Sequence, residues 1–403
     1  MGLKVIVAAG VLALASTTAA LGAGNPSRSW AAPEIQTVAA AELMGTKNPA
    51  TFRPGAKLTA QALENLVFGL KRRLFPPLPS EPTEPAPPPP TTTTPDPTTT
   101  TDPTVTTPVT TDPTATTPAP VETTPAPTPP PTPEEPLKAA HPQAAVSIAA
   151  LDARLVAALG LSQAASQFAA GARAAGLRVP GRFGTEVVAR LLRLRTNHPA
   201  DQDSLELLPT QAATRAEAAY SAAQILRFSG WEAAAVQSVA DSFALPELSR
   251  WQTRILDVAI ARIGMPYIWG GTSDGYETPF GVPSRGGYDC SGFVWRVYKL
   301  QPYAGEGNLA SVLRGRTTYQ MSGEVSRDQM IRFQNLQPGD VIFFGARGPR
   351  SSPSEVDHMG IYLGNGWFIH SSGYGVALAT LNGWYRQEFA WGRRPLREAG
   401  LAG

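Results

Sequence analysis

The chain has 403 residues, a net charge of +2 and only 16% charged side chains. That length leaves room for more than one domain. The near-neutral balance excludes a strong polyanion-binding field. No phosphate loop, metal-spaced Cys/His cluster or basic–aromatic surface occurs, so no cofactor, metal or nucleic acid is expected.

Residues 1–24 read as a secretory signal. Lys4 supplies the positive start, Val5 to Leu14 the apolar run, and small residues continue through Ala23. Cleavage after Ala20, Gly22 or Ala23 fits the pattern. The run is short for a membrane span, and no other segment is long and apolar enough to cross. The expected product is secreted and free of stable membrane insertion.

Residues 36–74 form a small module. A turn-rich loop, Asn48 to Gly55, leads to Leu58-Thr59, which opens an amphipathic helix through Leu63, Leu66, Val67 and Leu70. Residues 75–137 hold most of the 40 prolines among Thr, Asp and Glu, with few large apolar side chains to bury. This stretch is predicted to be disordered or polyproline-like. At ~3.1 Å per residue it reaches on the order of 150–200 Å as a spacer, and its threonines permit O-glycosylation.

Residues 144–243 are Ala-rich and helical. Gly184-Thr185-Glu186 opens one helix, and Thr214-Arg215-Ala216-Glu217 is a capping box that opens another. With Leu58-Thr59, these make three loop–Thr–helix units, a degenerate repeat.

The last domain spans 246–403. Leu248 to Ile263 is an amphipathic helix stopped by Gly264 and Pro266. Asp289 is a good N-cap, which places Cys290, the only cysteine, in the first turn of a helix carrying Phe293, Val294, Val297 and Tyr298. The helix dipole there favours a thiolate, and the Asp289 charge opposes it. A lone cysteine is often just a small buried hydrophobe. The Asp-Cys-Ser run after Gly286-Gly287 is a poor packing site, which favours a nucleophile.

Pro338-Gly339-Asp340 turns into a strand, Val341–Phe344. A hairpin follows with its turn at Gly364-Asn365-Gly366. Pairing Ile361 with Ile369 puts the apolar set on one face and both His358 and His370 on the other. That register satisfies burial and makes His358 a base and His370 its orienter. One helical layer on a small antiparallel sheet gives an α+β fold.

Residues from about Trp251 to Leu396 resemble the NlpC/P60 family of papain-like cysteine peptidases. The resemblance rests on Gly264 to Gly271, Asp289 to Phe293, Arg316-Thr317-Thr318-Tyr319-Gln320, Leu336 to Phe344 and the hairpin from His358 to His370, all in the family's order. It implies a catalytic trio of Cys290, His358 and His370, an oxyanion hydroxyl on Tyr267, and a substrate-amine pocket lined by Asp289 and Ser291. It also implies cleavage of peptidoglycan stem peptides between D-glutamate and the diamino acid. The insertion from Thr272 to Gly287 departs from the family and is expected to shape the cleft rim.

The loop–Thr–helix units resemble S-layer homology repeats, which bind secondary cell-wall polymers. That resemblance makes Arg215 a polymer contact; its plain alternative is a solvated helix-start charge in a helical spacer. A non-catalytic muropeptide binder, or an amidase or acyltransferase on another substrate, are the competing readings of the cleft. The helical region abuts the last domain and is expected to be able to cover Cys290.

Overall fold

The computed structural model describes residues 26–45, 47–75 and 135–401. The expected signal over 1–24 and nearly all of the Pro/Thr-rich stretch lie outside them.

The helical half begins before residue 36, with α1 (Ala32–Ala40). It continues through α2 (Ala60–Leu74), α3 (Ile148–Ala158), α4 (Ser162–Ala174), α5 (Phe183–Leu191), α6 (Arg215–Leu226) and α7 (Glu232–Asp241). Helices α2, α3 and α6 share one kind of start. Thr59, Ser147 and Thr214 are extended N-caps, and each side-chain oxygen accepts the N–H of the third residue on, at 3.2–3.3 Å.

The three residues before the caps close a ring. Leu58 N–H donates to the Ala213 carbonyl, Ala213 N–H to Val146 and Val146 N–H to Leu58, at 2.8–2.9 Å. A second round joins Ala60 to Ala144, Ile148 to Gln211 and Arg215 to Ala56, and a third joins Gln61 to Pro142, Ala149 to Pro209 and Ala216 to Pro54. Nine backbone donors are thus satisfied with pseudo-threefold symmetry, six of them N–H groups that the helix starts would leave orphaned.

This ring corrects the repeat expected from sequence. Thr185 caps nothing: α5 starts at Phe183, its N-cap Arg182 makes no side-chain cap, and the Thr185 hydroxyl donates back to the Arg182 carbonyl at 2.9 Å. Ser147 opens the remaining unit. Its hydroxyl does the same capping work as threonine's.

The described residues on either side of the long stretch meet at one helix. The stretch leaves from the C-terminal end of α2, and the returning chain is pinned to the first turn of the same helix. Gln61 donates to the Leu137 carbonyl at 3.0 Å and accepts from Ala139 N–H at 2.9 Å. A helix of 15 residues is about 22 Å long, so both anchors lie within one helix length.

The C-terminal half starts with α8 (Arg250–Ile260), opened by a Ser249–Gln252 capping box. Strands β1 (Thr272–Ser273) and β2 (Gly287–Tyr288) form a two-residue ladder at the base of the insertion. Helix α9 (Cys290–Trp295) follows and continues as a wider π-type turn through Leu300. Strands β3 (Val341–Gly345), β4 (Val356–Gly364), β5 (Trp367–Ser372), β6 (Gly375–Thr380) and β7 (Phe389–Arg393) make one antiparallel sheet in the order β6-β5-β4-β3-β7.

The β4–β5 register pairs Ile361 with Ile369, as the burial pattern requires. A bulge between Tyr362 and Gly364 keeps that register while Gly364 still pairs with Trp367.

The two halves share one apolar core. Phe168, Phe243 and Trp367 form a three-ring cluster with centroids 5.0–5.7 Å apart. Arg178 clasps the Asp257 carboxylate with backbone and side chain, both at 2.7 Å. Arg190 donates to the Gly264 carbonyl at 2.9 Å. Gly264 has φ +83°, and a Cβ there would lie 2.4 Å from the Glu186 carboxylate, so only glycine fits between the halves.

Candidate active site

Cys290 is the first residue of α9, and α9 packs on β4 and β5. The approach is close: a Cβ on Gly292 would sit 1.9 Å from the Gly271 carbonyl oxygen, so glycine is required where the cysteine helix meets the Tyr267 loop. Cys290 Sγ lies 3.6 Å from Thr318 Oγ1.

Burial and the nearby Asp289 charge push the thiol up to about 11, against smaller contributions from the Thr318 hydroxyl and the Ser291 and Met359 amides. Burial thus joins the Asp289 charge in opposing the thiolate that the helix dipole favours.

His358 stands on β4 opposite Phe344, and His370 on β5 opposite Ala377. Their rings meet edge to face, with His358 Nε2 2.6 Å from His370 Nδ1. Both imidazoles thus share one face of the sheet, as the hairpin register predicts. Phe344, Phe368 and Tyr385 surround the pair, with ring centroids 4.8–6.4 Å away. Burial holds His358 down to about 4 and His370 well below the usual imidazole range, where the His358 charge adds to the effect. Burial thus disfavours the charged form of all three groups.

Asp289 caps α9 through Gly292 N–H. Its Oδ1 also accepts from Ser291 Oγ at 2.9 Å and Arg316 Nη1 at 3.3 Å. Its Oδ2 accepts from Gly270 N–H at 3.0 Å and Arg316 Nη2 at 3.2 Å. Arg316 donates further to Ser291 Oγ and the Gly270 and Gly271 carbonyls. Asp289 and Ser291 are thus fastened to one guanidinium that also holds the Tyr267 loop.

Tyr267 joins the group. Its phenol is raised above the ordinary tyrosine value by burial first, then by Cys290 and Asp289, and further by Asp203 from the helical half.

Arg215 is not brought to this group. It opens α6, its guanidinium lies 4.5 Å over the Phe52 ring, and it donates to the Met44 carbonyl at 3.1 Å. The insertion is tied at its base by Asp274, which accepts from Arg262 at 2.7 Å and Arg296 at 3.1 Å. It exposes Tyr276 and Phe280.

Two residues that sequence reasoning gave no role belong to the site, Thr318 and Arg316, and Asp203 adjoins it through the Trp269 N–H. Arg316 and Thr318 stand in a motif already noted, and a polar pair between the cysteine and the hairpin is a usable signal. Asp203 lies in a polar run between helices with nothing to mark it.

The NlpC/P60 family model matches residues 264–394. The chain is similar to the probable peptidoglycan endopeptidase LytE of Bacillus subtilis, at 32% identity over 133 residues, 33% of this chain and 31% of that protein. It is similar to the gamma-D-glutamyl-L-lysine dipeptidyl-peptidase of Bacillus cereus, at 35% identity over 138 residues, 33% of each chain. A solved NlpC/P60 family protein from Bacillus cereus is 28% identical, covers 38% of this chain and 42% of its own, and superposes with a TM-score of 0.28. The chain spans about a third or less of the length of the first curated relatives it matches.

Proposed function

Starting from the NlpC/P60 domain that residues 264–394 form, we propose that this protein is a secreted cysteine peptidase that hydrolyses peptidoglycan stem peptides. The observation that carries the reading is one buried thiol at a helix start, packed against the strand pair that holds two hydrogen-bonded imidazoles. The names of the relatives support the substrate. One of them, a γ-D-glutamyl-L-lysine peptidase, supports the bond after D-glutamate.

The chemistry follows from the burial of these groups. For His358 to take a proton through Nδ1, its Nε2 must carry hydrogen and donate it to His370 Nδ1. His370 fixes that tautomer. The Cys290 thiol gives its proton to His358 as its sulfur bonds to the amide carbon, because burial disfavours a standing ion pair. The Tyr267 hydroxyl and the Cys290 backbone N–H hold the developing oxyanion. His358 returns the proton to the leaving amine, then activates a water that hydrolyses the thioester.

The helical half is proposed to anchor the enzyme on wall polymer. Its threefold arrangement of like units supports this; Arg215 is engaged within the fold.

The test is mass spectrometry of muropeptides incubated with the full chain, wild type beside Cys290→Ala. Products ending in D-glutamate from wild type alone are expected. Equal inertness of both proteins, with muropeptides still bound, would make this a binding protein.

A further inference from the structure

Helices α3, α4 and α5 end in the same way. The residue after the C-cap is left-handed, and the leucine beyond it donates back into the helix: Leu161 to Val156, Leu177 to Ala172 and Leu194 to Ala189, at 2.9–3.2 Å. The left-handed residue is Gly160 in α3 and Gly176 in α4, but Arg193, with φ +55°, in α5. Helix α1 ends likewise on Glu42, whose carboxylate pairs with Lys47 at 2.9 Å. A side chain in this conformation costs stability that glycine does not.

Arg193 reaches the sheet half. Its guanidinium lies 5.5 Å over the ring of Tyr374, in the turn between β5 and β6. That turn is seated on the Tyr267 loop, where Val376 N–H donates to the Met265 carbonyl at 2.7 Å. Burial pushes the Tyr385 phenol up to about 12, Tyr374 adds to this and the Arg193 charge opposes it. The Tyr385 ring in turn lies 5.4 Å from His370 and 6.4 Å from His358. Arg193 therefore stands at the histidine side of the site.

The Arg193 side chain is exposed and has no ion pair or hydrogen bond among the described residues. Arg316, the other guanidinium at the site, is engaged by Asp289, Ser291 and the Gly270 and Gly271 carbonyls. Arg193 is the cation beside the histidines with its donors open.

We propose that Arg193 pairs with a carboxylate of the peptide substrate, so that the helical half makes the enzyme selective for stem peptides in which that carboxylate is not amidated. This rests on the reading of the site as a stem-peptide amide hydrolase. A planar guanidinium matches a carboxylate with two parallel N–H···O bonds. The carboxylate is either the α-carboxylate of the D-glutamyl residue or that of the diamino acid.

Calorimetric binding to the inactive Cys290→Ala chain tests this without turnover. The probes are L-Ala-γ-D-Glu-L-Lys, its D-isoglutamine form and its lysinamide form; the last two each lack one carboxylate. Adding Arg193→Gly gives α5 the ending that α3 and α4 have. It is expected to weaken binding of the unmodified peptide about tenfold or more, as for a lost hydrogen bond between charged groups. The thermal midpoint is expected to hold or rise, because the left-handed position suits glycine. The peptide amidated at the carboxylate that Arg193 contacts is expected to bind weakly and to be insensitive to the substitution, which identifies the carboxylate. Unchanged affinity, or equal weakening of all three peptides, would overturn the proposal. A lowered midpoint with unchanged affinity would also overturn it and would make Arg193 a strut between the halves.

Failure of the Cys290→Ala chain to bind any of the peptides overturns both this proposal and the function it rests on. Normal turnover of the unmodified peptide by an Arg193→Gly chain that retains Cys290 overturns this proposal alone. A binding contrast that survives while wild type cleaves nothing overturns only the hydrolase reading.

Discussion

The two halves of the molecule close in opposite ways. The catalytic sheet is built mostly from neighbours in sequence: β3, β4, β5 and β6 follow one another, and only β7 returns to an edge. The helical half is closed by segments far apart in the chain, joined through backbone bonds at small residues such as Ala56, Ala144 and Ala213.

Buried charge follows the same division. In the sheet half, Arg394 grips Asp340 with two bonds of 2.8 Å, and Arg393 is shared between Glu324 and Glu398. In the helical half, Asp152, Glu186, Arg190 and Arg195 are buried with polar atoms left without hydrogen-bond partners. The contrast teaches that the sheet half is finished for precision around the thiol. The helical half gains its unity from the ring and holds its buried charges as ion pairs, Arg190 with Glu186 at 3.1 Å and Arg195 with Glu217 at 2.7 Å.

The largest expected effect is chemical and confined to the sheet half. His370→Ala frees the His358 tautomer and is expected to lower kcat by on the order of 10²–10⁴. A loss in KM alone would contradict an orienting role.

The pH profile comes next. His358 must be neutral to act as base, and burial sets its folded value near 4 instead of 6.5. Activity should therefore persist as pH falls from 7 to 5.5 and drop only through about 4. An ordinary imidazole would already cost about tenfold at pH 5.5, so an acid limb near 6.5 in kcat/KM would show that the free enzyme's His358 is solvated.

Breaking the ring is a smaller change and moves the other half. Ala213→Pro removes the donor to Val146 and is expected to cost about 1–3 kcal/mol in urea unfolding. The smallest effects sharpen the threefold count. Thr59→Ala, Ser147→Ala and Thr214→Ala should each cost about 1 kcal/mol, and Thr185→Ala clearly less. Equal costs for Thr185 and Ser147 would dissolve the symmetry.

The sheet half is legible because its signals are local. Asp289 before Cys290 announced the helix start. The odd-position run Met359, Ile361, Leu363 with Gly364-Asn365-Gly366 allowed one register that buries the apolar set, and it brought the histidines together. The protonation state of the thiol was not legible, since it depends on what other elements remove from water.

The helical units were half legible. Thr59 and Thr214 stood out as caps, whereas Ser147 was passed over for Thr185. A proline stands five residues before each true cap, at Pro54, Pro142 and Pro209. Thr185 has one at Pro180 too, so spacing alone does not separate them. The backbone partners do.

The pinning of Gln61 to Leu137 and Ala139 has a consequence for how this protein can change over time. A long excursion that departs from and returns to one helix carries none of the fold's register. Doubling its length costs only about 0.6 kcal/mol of closure entropy. A protease nick within it would cut the polypeptide in two while the ring still holds the pieces as one particle. Lineages are free to lengthen, recompose or decorate this stretch, because the ring and the thiol keep their geometry through every such revision.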